Sequence, residues 1–290
     1  MDPRSEAVSK ITVPQILDRK LSGEKITCLT AYDYPTARLV DEAGMDIILV
    51  GDTLAQVVLG YDTTVPVTVD EMLHHVKAVR RAVRRALLVA DLPYGAYHLG
   101  REESLRASIR FLKEGGAEAV KLEGGRKRSE LVQALVEAEI PVMGHIGLTP
   151  QSVHPMGGYR VQGRTLESAN HLLADAQALE DAGAFAVVLE GVPRELAALI
   201  TRRLSIPTIG IGAGPECDGQ VLVLHDLLGL SFTAPAKFVR RYADLAGTTR
   251  EALENFRRDV LAGKFPEDRE SYHWPAELRA QFEKEAARHV

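Results

Sequence analysis

The chain has 290 residues, a length compatible with a single α/β barrel or with two smaller domains. Its 35 Lys and Arg residues against 40 Asp and Glu residues give a formal net charge of −5, which argues against binding of nucleic acid or anionic membranes. With 46% hydrophobic and 26% charged residues, the composition is that of a globular protein and excludes general disorder. We therefore expect a small soluble ligand.

The cysteine content and the chain start both favour a cytoplasmic protein. Cys28 and Cys217 are too few for a disulfide framework and lie in no CxxC pair of the kind that binds structural zinc. The first residues, MDPRSEAVSK, lack the apolar stretch of a signal peptide, and no run reaches the ~20 apolar residues that span a bilayer. We expect a reducing compartment and no membrane partner.

A helix is predicted over residues 13–23, and eight short apolar runs follow it. Each run is nearly continuous in apolar residues, which is typical of a parallel strand covered on both faces. The runs are KITCLTAYD from residue 25, DIILVGD from 46, ALLVADLP from 86, AEAVKLEGG from 117, IPVMGHIG from 140, AFAVVLEGV from 184, IPTIGIGAG from 206 and QVLVLHD from 220.

Segments with apolar residues at helical spacing separate most of these runs. They cover residues 34–43, 70–82, 101–114, 128–138, 165–182 and 193–203. Asp70 and Thr165 mark two helix starts, and Gly44, Gly115 and Gly183 follow helix ends, where a left-handed residue is favoured.

The eight units predict an α/β fold, a (βα)8 TIM barrel, as a single domain over residues 1–290. An N-terminal helix precedes the barrel, and a charged amphipathic helix over 248–262 follows it. Only AGPECDG separates the last two runs, so the seventh helix must be short, and an open doubly wound sheet is the architectural alternative. Residues 265–290, with the only tryptophan, are expected to form a surface extension or a subunit contact.

Polar side chains interrupt the carboxyl ends of five consecutive predicted strands, where parallel barrels carry their catalytic groups. Asp52, Asp91 and Glu123 would repel one another when partly buried, unless a divalent cation neutralises them. Mg²⁺ prefers such oxygen ligands, with the two aspartates direct and Glu123 in an outer position. The alternative is that these acids cap helices or pair with arginines.

Three further residues at the same ends are candidates for a role in catalysis. Lys121 shares a strand face with Glu123, and its ammonium could hold a substrate carboxylate, form a Schiff base or neutralise neighbouring acids. Glu190 has no cationic neighbour in the sequence and is a candidate general base, with a helix N-terminal acid as the alternative. His145 is a candidate donor to a developing oxyanion, or a structural histidine.

Long motifs surround these residues and cover nearly everything between residues 25 and 245. They are LTAYDYPTARLVDEAGMDIILVGDTLAQVVLGYDTTVPVTVDEM, LVADLPYGAY, VKLEGG, GHIGLTPQS, GGYRVQGR, VLEGVP, IGIGAGPECDGQVLVLHD and PAKFVRRY. In these motifs the chain resembles the ketopantoate hydroxymethyltransferase family. The family commonly has serine at the position of Thr53, which keeps the hydroxyl and adds a methyl group, and the segment after about residue 265 lies outside the resemblance.

The resemblance implies transfer of a hydroxymethyl group from 5,10-methylenetetrahydrofolate to 3-methyl-2-oxobutanoate through a Mg²⁺-stabilised enolate, giving 2-dehydropantoate in pantothenate biosynthesis. It implies a homo-oligomer, often a decamer. The residue roles that it implies are Mg²⁺ binding by Asp52, Asp91 and Glu123, contact with the 2-oxo acid by Asp52, Thr53, Asp91 and Lys121, and proton acceptance by Glu190. We add His145 to the substrate contacts.

Two other functions stay open at this stage. One is a Mg²⁺ barrel of the isocitrate lyase and phosphoenolpyruvate mutase kind, whose cysteine motif resembling KKCGH does not occur in this sequence. The other is a catalytically silent barrel that serves as an oligomeric scaffold or binds a metabolite. The cost of keeping a cluster of buried charges argues against the silent barrel.

Overall fold

The computed structural model describes residues 9–158 and 160–288. Eight parallel strands form a closed barrel in chain order, which confirms the predicted (βα)8 architecture and excludes the open sheet. The strands are β1 Ile26–Thr30, β2 Ile47–Val50, β3 Leu87–Asp91, β4 Ala119–Glu123, β5 Val142–Gly147, β6 Ala186–Glu190, β7 Thr208–Ile211 and β8 Gly219–Leu222.

The seven helices predicted through residue 203 are confirmed to within two residues at each end. The helices of the structure are α1 Val13–Ser22, α2 Tyr34–Glu42, α3 Leu54–Val57, α4 Val69–Arg80, α5 Arg101–Lys113, α6 Ser129–Glu137, α7 Val153–Met156, α8 Leu166–Asp181, α9 Arg194–Arg203, α10 Leu224–Leu228, α11 Leu245–Leu261 and α12 Ala276–Ala286. The short helices α3 and α7 were not predicted. The helix predicted over 248–262 is α11, which begins three residues earlier.

The seventh unit differs from the prediction. Residues 212–218, which connect β7 to β8, form no helix, so the expected short helix is wrong. The segment is too short for a helical crossover, which takes about ten residues or more. The barrel nevertheless closes, because Ile209 pairs with Gly219. His225, at the end of the eighth apolar run, lies in α10 and not in a strand.

Capping side chains set two of the helix starts. Thr165 accepts a hydrogen bond from the backbone N–H of Ser168 at 3.2 Å, as its predicted position before α8 requires. At α4 the cap is Thr68, whose hydroxyl accepts from the Glu71 N–H at 3.2 Å. The predicted start at Asp70 is therefore two residues late, because the capping box of Thr68 and Glu71 begins the helix first.

The residue with positive φ after α5 is Gly116, with φ of 72°, and not Gly115 as predicted. Gly115 is instead required by packing, since a Cβ there would lie 2.6 Å from the Phe111 carbonyl oxygen. Gly44 and Gly183 do adopt positive φ after their helices, as predicted.

One apolar cluster fills the barrel interior, and another lies between the strands and the surrounding helices. Inward positions alternate along each strand, so Leu87 and Val89 on β3 are followed by Asp91 as the next inward residue. Ile16 of α1 belongs to the interior cluster and is fully buried. The apolar interior thus gives way to polar groups toward the carboxyl ends of the strands.

The chain divides after Tyr242 into two compact units. The first contains the barrel, and the second contains α11 and α12. Within the described residues 243–288 no side chain is buried, and several large apolar ones are exposed: Leu253, Phe256, Val260, Leu261, Phe265, Tyr272, Trp274, Leu278 and Phe282. Across the described residues of both units, every helix is too short or too polar to cross a membrane.

Candidate active site

A cavity of about 50 Å³ lies at the carboxyl end of the barrel, and all the predicted site residues line it. They are Asp52, Thr53, Asp91, Lys121, Glu123, His145 and Glu190. A larger groove of about 980 Å³ lies beside β1, β7 and β8, but its lining contains no carboxylate. The smaller cavity is therefore the candidate active site, because its lining contains the acid and base groups.

Asp91 and Lys121 form a buried ion pair across neighbouring strands. The two residues are in register on β3 and β4, and the Lys121 ammonium donates to both Asp91 carboxylate oxygens at 2.6 and 2.7 Å. Burial disfavours the charge of Lys121, but Asp91, Asp52 and Glu123 outweigh it and raise the pKa of the ammonium above its usual value. A protonated lysine is no nucleophile, which argues against a Schiff base.

Asp52 follows β2 and lies against this pair. Its backbone N–H donates to the Asp91 carboxylate at 3.2 Å, and its side chain is buried. Burial, followed by repulsion from Asp91 and Glu123, raises the pKa of Asp52 well above its usual value. The same like-charge repulsion was predicted from the strand ends, and it indicates a site with too little positive charge.

His145 lies between two carboxylates. Its Nδ1 is 3.5 Å from Oε1 of Glu123, and its Nε2 is 3.3 Å from Oε2 of Glu190, both within ion-pair distance. Neither nitrogen has a hydrogen-bond partner among the described residues. Burial opposes its charge, yet Glu123 and Glu190 prevail and raise the pKa of His145 to about 9. Both nitrogens face carboxylates, and His145 lines the cavity. Its predicted contact with the substrate stays a prediction.

Thr53 lines the cavity beside Asp52 and precedes α3. Its side chain caps no backbone N–H of that helix, so the hydroxyl is not used for capping. The position is compatible with the substrate contact that the sequence resemblance implies.

Gln151 and Tyr97 contribute to the site, but the sequence analysis did not predict them as site residues. The carboxamide of Gln151 contacts Asp52, and the Tyr97 hydroxyl contacts that carboxamide. Both residues are uncharged and lie in loops after strands, where neither spacing nor charge singles them out. Their place within the motifs GHIGLTPQS and LVADLPYGAY is the one signal that the sequence offered.

The chemistry of these side chains fits a divalent cation. Four carboxyl groups and only two basic groups, Lys121 and His145, line the cavity, so acidic groups are in excess there. Among the described residues, no three His, Cys, Asp or Glu side chains are arranged around an ion position, and both oxygens of Asp91 accept from Lys121. The excess carboxylates are the oxygen ligands that Mg²⁺ prefers.

A closed (βα)8 barrel with acid and base groups at the carboxyl ends of its strands defines the class of barrel enzymes that act on small molecules. A family model described as ketopantoate hydroxymethyltransferase matches residues 10–268. The chain belongs to this family, and it is a hydroxymethyltransferase.

Curated relatives agree with this assignment, and solved structures share the fold. The 3-methyl-2-oxobutanoate hydroxymethyltransferase of Koribacter versatilis is 62% identical over 95% of this chain and 93% of its own. The enzyme of the same name from Trichlorobacter lovleyi is 59% identical over 91% of this chain and 98% of its own. Two crystal structures share the fold. That of 2,3-dimethylmalate lyase has a TM-score of 0.59 and 19% identity, and the match covers 86% of this chain and 85% of the lyase. That of phosphonopyruvate hydrolase with oxalate and Mg²⁺ has a TM-score of 0.57 and 14% identity, and the match covers 96% of this chain and 97% of the hydrolase.

Proposed function

We propose that the protein transfers a hydroxymethyl group from 5,10-methylenetetrahydrofolate to 3-methyl-2-oxobutanoate, giving 2-dehydropantoate for pantothenate biosynthesis. The observation that carries this proposal is the convergence of all seven predicted side chains on one cavity in a chain 62% identical to an enzyme of that name. The cavity joins a candidate base, Glu190, to cationic and carboxylate groups that suit a 2-oxo acid.

Asp52, Asp91 and Glu123 are the residues that would hold Mg²⁺. They are buried, they belong to the acidic groups that are in excess in the cavity, and their oxygens suit a hard cation. When bound, the ion supplies positive charge that polarises the 2-oxo group of the substrate and acidifies the proton at C3. Lys121 and Thr53, which line the same cavity, bind the substrate, the lysine through the substrate carboxylate.

Glu190, which lines the cavity, accepts the proton from C3, and His145 lies beside its carboxylate with Nε2 3.3 Å from Oε2. The electron pair left at C3 forms the new carbon–carbon bond to the methylene carbon of the folate donor. Both carbon–nitrogen bonds of the donor's methylene group break, and water supplies the hydroxyl group. The proton taken from C3 and the other proton of water go to the two folate nitrogens, and tetrahydrofolate leaves. The assigned residues therefore bind, orient and deprotonate the substrate.

The first half of this reaction can be tested without folate. We expect the purified protein to exchange the C3 proton of 3-methyl-2-oxobutanoate in deuterium oxide when Mg²⁺ is present, measured by NMR, and to lose that exchange when EDTA is added. Subsequent addition of the folate donor should yield 2-dehydropantoate. A folded protein that catalyses no exchange with Mg²⁺ would refute the proposal.

A cytoplasmic location and a homo-oligomer, a decamer in the resembled family, complete the proposal. The exposed apolar side chains of α11 and α12 support self-association, since soluble monomers rarely expose many large apolar groups together. Light scattering on the purified protein tests the oligomer, and a monomeric mass would contradict it.

A further inference from the structure

Gln151 lies in the short 3-10 helix Pro150–Ser152 that follows β5 and is only 3% exposed. Its carboxamide nitrogen donates to Oδ2 of Asp52 at 2.9 Å and to the Leu92 carbonyl oxygen at 3.0 Å. Its carboxamide oxygen accepts from the Tyr97 hydroxyl at 2.5 Å, and its backbone N–H donates to Oε2 of Glu123 at 3.1 Å. One residue thus contacts two of the carboxylates assigned to the cation.

The contacts of Gln151 fix which end of its carboxamide faces Asp52. A carboxamide has one acceptor oxygen and one nitrogen with two N–H donors, and both ends have nearly the same shape. In the opposite orientation, the oxygen would face the Asp52 carboxylate and the Leu92 carbonyl oxygen, neither of which can donate. The Tyr97 hydroxyl can donate or accept, so the orientation is fixed by the Asp52 carboxylate and the Leu92 carbonyl oxygen. The observed orientation satisfies every group, and the Tyr97 hydroxyl holds the carboxamide oxygen in place.

Tyr97 is itself held firmly. It is 3% exposed, the Arg128 guanidinium carbon lies 5.0 Å from the centre of its ring, and Nη1 of Arg128 donates to its carbonyl oxygen at 3.3 Å. The tyrosine hydroxyl therefore has a fixed position from which to anchor the Gln151 carboxamide.

We propose that Gln151, anchored by Tyr97, is a positioning residue that holds the carboxylates of Asp52 and Glu123 in place for the divalent cation. The inference rests on the metal assignment in the proposed function. A carboxylate held by an amide donor is already ordered before the ion binds, so less ordering accompanies binding. Loss of such an outer hydrogen bond typically weakens metal affinity about 10- to 100-fold.

Two variants test the proposal by calorimetric titration of the purified enzyme with Mg²⁺ alone. Tyr97→Phe removes one hydroxyl and keeps the ring, and Gln151→Met keeps the side-chain length and removes the carboxamide. We expect both to weaken Mg²⁺ binding about 10- to 100-fold. In turnover assays, we expect the Mg²⁺ concentration at half-maximal rate to rise for Tyr97→Phe, with kcat near that of wild type at saturating Mg²⁺.

The matched controls are Tyr94→Phe and Gln133→Met, both at exposed positions, and neither should change Mg²⁺ affinity. Circular dichroism shows whether each variant is folded, and Tyr97→Phe decides the question if Gln151→Met does not fold. Wild-type Mg²⁺ affinity in a folded Tyr97→Phe would overturn the positioning role alone. A wild-type enzyme that binds no Mg²⁺ would overturn the metal assignment of the proposed function and the inference with it.

Discussion

Both carboxylate oxygens of Asp91 accept hydrogen bonds from the Lys121 ammonium, at 2.6 and 2.7 Å. The pair joins adjacent strands inside the barrel, and its side chains are only 2% and 5% exposed. Two charges at this depth stabilise the fold only as a pair, because each one alone would be buried without compensation.

We expect Lys121→Met to lower the free energy of unfolding by about 3–5 kcal/mol, since it leaves the buried Asp91 carboxylate without its partner. Urea unfolding followed by circular dichroism measures the change. The control, Lys127→Met, removes an exposed lysine from the same region and should shift stability by no more than about 0.5 kcal/mol. Equal unfolding midpoints for the wild type and Lys121→Met would contradict the structural role.

Replacing the proposed base should abolish most of the chemistry while binding persists. We expect Glu190→Gln to slow C3 proton exchange and product formation by about 10²–10⁴-fold, because the amide cannot accept the proton. Calorimetric binding of 3-methyl-2-oxobutanoate should change little. Glu195→Gln, at an exposed position on α9, is the matched control. Exchange at the wild-type rate in Glu190→Gln would assign the base elsewhere.

Alkaline pH should not activate the cysteines of the folded protein. Cys28 and Cys217 are both free and buried. Burial raises the pKa of Cys28 to about 12, although Lys121 lowers it in part, and burial also raises the pKa of Cys217. Because the thiolate is the reactive form, alkylation of the native protein should stay slow between pH 7 and about pH 10, where an exposed thiol with a pKa of about 8.5 would react.

The same pKa shift predicts how stability changes with pH. The folded state keeps the Cys28 proton longer than the unfolded state, so this contribution is complete below about pH 8.5 and declines as the pH rises toward 12. The slow alkylation of the native protein is checked by mass spectrometry after iodoacetamide treatment, which should find both cysteines modified in urea and neither modified in buffer. Rapid alkylation of the cysteines in the folded protein, with a rate that rises with pH around a pKa of about 8.5, would contradict their burial.

The capping box of α4 should contribute measurably to stability. Thr68→Ala removes the hydroxyl that accepts from the Glu71 N–H, and we expect a loss of about 0.5–2 kcal/mol in the free energy of unfolding. Thr68→Ser keeps the hydroxyl and should retain most of the wild-type stability. If the alanine and serine variants unfold at the same urea concentration, the cap does not stabilise the helix.

This cap also has a predicted pH dependence. The backbone N–H and the hydroxyl of Thr68 lower the pKa of Glu71 below its usual value of 4.5. The unfolded state therefore binds the Glu71 proton first as the pH falls, so this contribution is present above about pH 4.5 and is lost in more acidic solution. The difference in stability between wild type and Thr68→Ala should shrink over that acidic range.

The sequence by itself determined the barrel and the location of its site. Near-continuous apolar runs predict parallel strands, and polar residues at their carboxyl ends must converge once the barrel closes. The inward alternation on β4 places Lys121 and Glu123 on the same face, as their spacing of two residues predicted. These features depend on local periodicity, which a linear sequence displays directly.

Only the tertiary structure decided which of these side chains pair with one another. Asp91 and Lys121 are 30 residues apart, and Asp52 and Gln151 are 99 apart, so no local pattern records either contact. His145 faces two carboxylates because three neighbouring strands bring them to its ring. Neutral residues such as Gln151 show no charge or period in the sequence, and their role follows from where the closed barrel places their hydrogen-bonding groups.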